Sequence, residues 1–198
     1  MNLSLPVTFP VQDTAAKESP SATAKPLLWL GIASVIMLFA GLTSAYIVRH
    51  SDPRNWLVFE VPLIFWFSTA AILASSITMH LSVFMTKKDK LLQNRSFLFL
   101  TLSLGTLFVV LQITGWKTLL DEGIGLQGHV SGAYLYILSG THFAHIISGL
   151  IALTVVFIKS LYGKYHSGNT LGIRLCATWW HFLTGLWIYL FVFLLIFR

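Results

Sequence analysis

The sequence predicts an all-α fold, a polytopic membrane protein built as a five-helix transmembrane bundle, and three observations carry that expectation. Only 10% of the 198 residues are charged and 56% are hydrophobic, whereas a soluble domain is about one quarter charged. The deficit is segmental, because the charges cluster in short islands between apolar runs. Five of these runs reach the roughly 20 residues that a helix needs to cross a hydrocarbon core of about 30 Å. No stretch outside them is apolar enough to bury a core of its own, so a large water-exposed domain is excluded.

Residues 1–26 place Pro6, Pro10, Pro20 and Pro26 among Ser, Thr, Lys and Ala with no apolar centre. They read as a disordered polar N-terminal leader that stops at Pro26, and not as a signal peptide. The transmembrane domain follows over 27–198, with helices expected at about 27–48, 61–85, 96–119, 132–158 and 173–197. Helices are required because backbone groups in lipid must be satisfied internally. Glu60-Val61-Pro62 introduces the second helix, with Pro62 in a first turn that does not need its N–H. Asp52-Pro53, Asp121-Glu122-Gly123 and Ser167-Gly168-Asn169 mark turns.

Orientation comes from the basic residues. With the N-terminus on one side, that side carries Lys17, Lys25, Lys87, Lys88, Lys90, Arg95, Lys159, Lys164 and Arg174, against Arg49, Arg54, Lys117 and Arg198 on the other. The positive-inside rule then expects a cytoplasmic N-terminus and an outside C-terminus. The same rule accounts for the net charge of +6 without any nucleic acid. The acidic residues Asp13, Glu18, Asp52, Glu60, Asp89, Asp121 and Glu122 all lie outside the expected membrane cores. Intramembrane carboxylates mark proton relays, so a pump working on its own carboxylates is disfavoured. Cys176 is the only cysteine, which excludes an intrachain disulfide and a cysteine-based metal centre and reads as a packed thiol.

The fourth segment contains Gly140-Thr141-His142-Phe143-Ala144-His145-Ile146-Ile147-Ser148-Gly149. His142 and His145 are three apart and share a helix face, while Gly140 and Gly149 invite a close helix approach. The fifth segment carries Trp179-Trp180-His181-Phe182 ahead of Gly185 and Trp187. Three neutral imidazoles could ligate haem iron or copper, or they could bond between helices or meet lipid headgroups. The bland alternative is preferred: a pair on one helix does not bracket a porphyrin, and Met37, Met79 and Met85 are scattered. His80, His129 and His166 are expected at the interfaces. Trp29, Trp56, Trp66, Trp116 and Trp187 read as an aromatic belt. Small-residue patches at Gly31, Ala33, Ser34, Ala40 and Gly41, and at Ser75-Ser76-Ile77-Thr78, suit close helix packing.

These motifs resemble a family. Gly140-x-His142-x-x-His145-x-x-x-Gly149, followed by Trp180-His181-Phe182 and Trp187, is similar to subunit III of cytochrome c and quinol oxidases in its five-helix form. Ser34, Gly41 and Ala45-Tyr46 in the first helix, Phe59-Glu60-Val61-Pro62 before the second and Leu111-Gln112 in the third agree with it. The resemblance covers about residues 27–197. Where the family carries intramembrane acids, this chain has Val35, Gly115 and Thr184, which puts an imported proton-antenna role in doubt.

The resemblance implies a subunit with no cofactor of its own, the haems and copper being held by partner subunits I and II. It implies direct packing against oxidase subunit I, bound phospholipid in a cleft between helix groups, and protection of the partner's active site during turnover. His142, His145, His181, Trp180, Gly149 and Glu60 would then be structural or lipid-facing, in a multi-pass protein of the bacterial plasma membrane. The whole complex would reduce oxygen to water and translocate protons. Two alternatives stay open: a subunit III-like accessory protein of a nitric oxide reductase, and a stand-alone His-ligated haem or copper protein.

Overall fold

A computed structural model describes residues 20–50, 62–125 and 130–197. The candidate Glu60, with His129 and Trp56, lies outside these described residues. Five helices form: α1 Pro20–His50, α2 Leu63–Lys87, α3 Leu91–Asp121, α4 Val130–Leu161 and α5 Leu171–Ile196. All five are long and apolar enough to cross a membrane, and the chain is a multi-pass membrane protein. Among the described residues there is no strand, only an isolated bridge between His166 and Asn169.

α1 begins at Pro20 and not at residue 27, so Pro26 sits inside it. Proline is well placed at a helix start, and the following Ser-Ala-Thr-Ala-Lys includes strong helix formers. Membrane helices also tolerate an internal proline, because local adjustment re-satisfies the freed carbonyl.

α2, α3, α4 and α5 form a closed ring, α2 meeting both α3 and α5, and α1 rests outside it against α4 and α5. The longest interface is that of α2 with α3. The buried positions of α3 are Asn94, Leu98, Thr101, Gly105, Phe108, Gln112, Gly115 and Leu119, alternating steps of four and three. That heptad spacing makes one continuous packing face. Those of α2 include Ser68, Ser75 and Ser82, which pair with Gln112, the Thr101 carbonyl and Asn94 across the α2–α3 interface. The two helices are joined through Lys88–Lys90, where Asp89 takes φ 55°, a left-handed conformation that Asp tolerates better than most residues.

Among its described side chains α1 buries Ile32, Val35, Phe39, Thr43 and Tyr46, a single narrow stripe. At its C-terminal end the Tyr46 hydroxyl donates to the Phe197 carbonyl at 3.0 Å and the Tyr189 hydroxyl to Thr43 Oγ1 at 3.2 Å. Outward, Met37 is 76% exposed. The expected close packing at Gly31 and Gly41 is not formed, since a Cβ at either would meet nothing within 4 Å. α1 turns these small residues away from the bundle.

Candidate functional site

The centre of the ring is Trp180. Its indole is fully buried and lies over two glycines on different helices. A Cβ on Gly105 of α3 would stand 2.8 Å from the ring, and one on Gly149 of α4 3.2 Å from it. Indole Nε1–H donates to Ser75 Oγ of α2 at 3.0 Å, and Ser75 donates onward to the Thr101 carbonyl of α3 at 3.1 Å. One side chain of α5 therefore touches the other three helices of the ring, the small residues being what lets so large a ring enter. The expected approach at Gly149 is present, whereas Gly140 has nothing within 4 Å of a would-be Cβ.

Around this crossing runs a polar ladder. Gln112 Nε2 donates to Ser68 Oγ at 3.1 Å, and the Thr78 and Thr101 hydroxyls pair at 2.8 Å. Ser82 donates to Asn94 Oδ1 at 2.6 Å, and Asn94 Nδ2 to Ser160 Oγ of α4 at 3.1 Å. Arg95 Nε caps the same place by donating to the Ser160 carbonyl at 3.1 Å. Each rung pairs polar groups that would otherwise face hydrocarbon, with Gln112 Oε1 the one amide oxygen of the ladder left without a partner. The sequence points to Ser75, Ser76 and Thr78 of α2 as packing residues, and not to Ser68, Ser82, Asn94, Thr101 or Ser160, which complete the ladder. The available signal was an amide at each end of α3, in step with Gly105 and Gly115.

The three histidines do not converge. His181 Nδ1 shares a 2.6 Å hydrogen bond with Ser76 Oγ of α2, and its ring lies 6.0 Å from that of His80. His145 Nδ1 bonds the Thr141 carbonyl of its own helix at 2.7 Å. His142 is 1% exposed and neither ring nitrogen has a hydrogen-bond partner. Its ring stacks on Trp187 at 5.3 Å and meets the edges of Phe108 and Phe39 at 6.2 and 6.4 Å. The imidazole is thus enclosed among aromatic rings of α1, α3 and α5. Among the described residues no group of three or more His, Cys, Asp or Glu could hold a metal ion.

Trp187 corrects the aromatic-belt expectation. It is buried beside His142, with Nε1 donating to Thr69 Oγ1 at 3.0 Å, because α5 is the helix most enclosed by its neighbours. Trp29 and Trp66 are exposed, and Trp116 is half-buried with its indole N–H on Ser139. Cys176 is a free, buried thiol. At the three positions where the resemblance expects acids, the packing is specific. Val35 is buried in the α1 stripe, Thr184 donates to the Trp180 carbonyl at 3.0 Å, and a Cβ on Gly115 would stand 3.0 Å from the Phe65 ring. Position 115 has no room for a carboxylate side chain without displacement of Phe65.

Comparison with known proteins agrees with the architecture. The family described as cytochrome c oxidase subunit III matches residues 52–198. A probable cytochrome c oxidase subunit 3 of Nocardia farcinica is 32% identical over 174 residues, covering 83% of this chain and 82% of the relative. Cytochrome c oxidase subunit 3 of Corynebacterium diphtheriae is 26% identical, with 91% and 94% covered. That of Thermostichus vulcanus is 29% identical, with 91% and 90% covered. A match over most of the chain, on five membrane-spanning helices with the paired-histidine and Trp-His-Phe motifs in the last two, places this chain in the cytochrome c oxidase subunit III family.

Proposed function

We propose that the chain is the non-redox subunit III of a bacterial respiratory terminal oxidase of the cytochrome c type. In this reading it packs directly against subunit I, beside subunit II and other respiratory-complex subunits. Those partners hold the haems and copper, reduce oxygen to water and translocate protons. The observation that supports it best is the inward commitment of the motif residues. Trp180 is taken up by Ser75, His181 by Ser76, His145 by Thr141, and His142 by three aromatic rings.

These residues and Gly149 act as helix-holding groups, and Glu60, outside the described residues, is read from the sequence as a structural or lipid-facing group. Phospholipid fills the space between α1 and the ring, where the narrow α1 stripe leaves apolar grooves. The basic residues orient the N-terminus to the cytoplasm and the C-terminus outside, in the bacterial plasma membrane. The names of the relatives favour the oxidase over a nitric oxide reductase accessory protein.

The test is to tag the chain, extract it in mild detergent and record what copurifies together with a reduced-minus-oxidised spectrum. Haem-a-type bands with an oxygen-reducing partner support the reading. Haem on the isolated chain would overturn it. His142→Ala or His145→Ala should weaken assembly or lipid retention while haem per subunit I stays constant.

A further inference from the structure

We propose that His80 of α2 and His181 of α5 bind one divalent transition-metal ion of the zinc class, tying together the two helices that close the ring. The site is separate from any redox centre and goes beyond the function proposed above. The pair is set by register. α2 and α5 run antiparallel, with Thr69 bonded to Trp187, Ser75 to Trp180 and Ser76 to His181. One turn past Ser76, His80 comes onto the same edge, and its ring centre stands 6.0 Å from that of His181.

Two features set this pair apart from an ordinary helix contact. His181 Nδ1 shares its 2.6 Å bond with Ser76 Oγ, which fixes the ring and leaves Nε2 for another partner. A metal-binding imidazole is oriented in the same way, by a hydrogen bond at its other nitrogen. His80 is exposed and has no hydrogen bond among the described residues; its ring contact is with His181. It lies seven residues before Lys87, about 10 Å from the end of α2 at 1.5 Å per residue. An imidazole left bare at that depth is costly and calls for a partner. No hydrogen bond joins the two rings, yet they are close enough to share one ligand.

The spacing fits metal chemistry. Zinc binds an imidazole nitrogen at about 2.0–2.1 Å, which puts each ring centre about 3.2 Å from the ion. Two such rings stand about 5 Å apart at a tetrahedral angle and about 6 Å apart when the angle opens. The 6.0 Å separation therefore needs little change, and the exposed His80 side chain has room to supply it. Imidazole suits zinc, copper and nickel. Among the described residues no third His, Cys, Asp or Glu joins the pair, so water completes the coordination and the ion is exchangeable. Lys87 does not compete, because its long stem carries the ammonium toward the headgroups. The two ligands belong to different helices, and a bound ion braces the α2–α5 edge beside the Ser76–His181 bond.

The experiment uses the intact purified complex, treated with a chelator, dialysed and titrated with Zn2+ alone, with bound zinc counted per complex. The wild type should take up one ion with a Kd on the order of 10 µM, two shares of the affinity of a four-ligand site. H80A should weaken that binding about 100-fold, and H80C should restore it through a thiolate. S76A keeps both ligands and should cost about tenfold by freeing the His181 ring. X-ray absorption at the zinc edge should show two imidazole nitrogens at about 2.0 Å in the wild type. His80 is exposed and unbonded, so H80A should assemble normally; if it does not, S76A and the absorption spectrum carry the test. Equal zinc uptake by wild type and H80A overturns the site, the ion then being adventitious. Loss of a partner subunit from H80A with zinc unchanged also overturns it, because the pair would then dock a protein group such as a carboxylate.

Discussion

The four-helix ring and α1 are made from similar apolar runs and are held by different means. The ring is closed by a heptad seam, a ladder of side-chain hydrogen bonds and one tryptophan over two glycines. α1 has a stripe of five buried residues and polar ties at one end. In a bilayer, lipid tails are as apolar as leucine, so hydrophobicity alone cannot hold helix to helix. The ring solves this with close backbone approach and paired polar groups. α1 leaves the matter partly to whatever covers its outer face.

The largest test of that contrast is Trp180→Ala. It removes the ring that fills the crossing and should cost about 3–5 kcal/mol, read as unfolding of the purified subunit in detergent. A loss below about 1 kcal/mol would break the contrast. Next comes a matched glycine pair. Gly105→Ala should overpack against Trp180 and cost about 1–3 kcal/mol, while Gly41→Ala on α1 should stay within about 0.5 kcal/mol of wild type. Equal effects would mean that α1 is packed as tightly as the ring.

His142→Phe sharpens the comparison from the opposite direction. The side chain sits among aromatic rings with both nitrogens unpaired, and an unpaired buried polar group costs about 1–3 kcal/mol. Phenylalanine should therefore preserve or raise the unfolding midpoint; a fall would reveal a polar role for the imidazole. The smallest effect belongs to the loops. The Ser167 amide and side chain hold the Asp89 carboxyl below its ordinary value of 3.8. Its contribution is therefore fully present above about pH 4 and is lost as pH falls through the lowered folded value. Asp89→Asn should flatten the acid limb of a stability-against-pH curve by lowering stability slightly at neutral pH, where the carboxylate's contribution is present, and leave the acid end unchanged.

Much of this could be read from the sequence, and the misses have physical reasons. The five helices follow from apolar run length, and Gly149 with Trp180 from the need of a large ring for a small neighbour. Pro26 reads as a stop, yet α1 starts before it, because a proline near the start of a membrane helix is tolerated. The position of Trp187 along the chain suggests a belt and says nothing about which side of α5 is enclosed. Gly31 and Gly41 look like a packing face because small residues look alike whether they meet a helix or point away from one. The ladder was half visible: serines and threonines announce themselves, but their cross-helix partners depend on register, which a single apolar run does not encode.

The three-residue turn at Lys88–Lys90 has a consequence for biogenesis. Inserted singly, α3 would carry Asn94 and Gln112 into hydrocarbon with their amides bare, a partition cost it would have to bear alone. Folded back on α2, it delivers them already bonded to Ser82 and Ser68. A turn so short leaves little chain to close before those bonds can form. The hairpin is thus the natural unit of membrane entry, with Asn94 Oδ1 and Gln112 Nε2 paired within it and Asn94 Nδ2 left for Ser160 of α4 to complete.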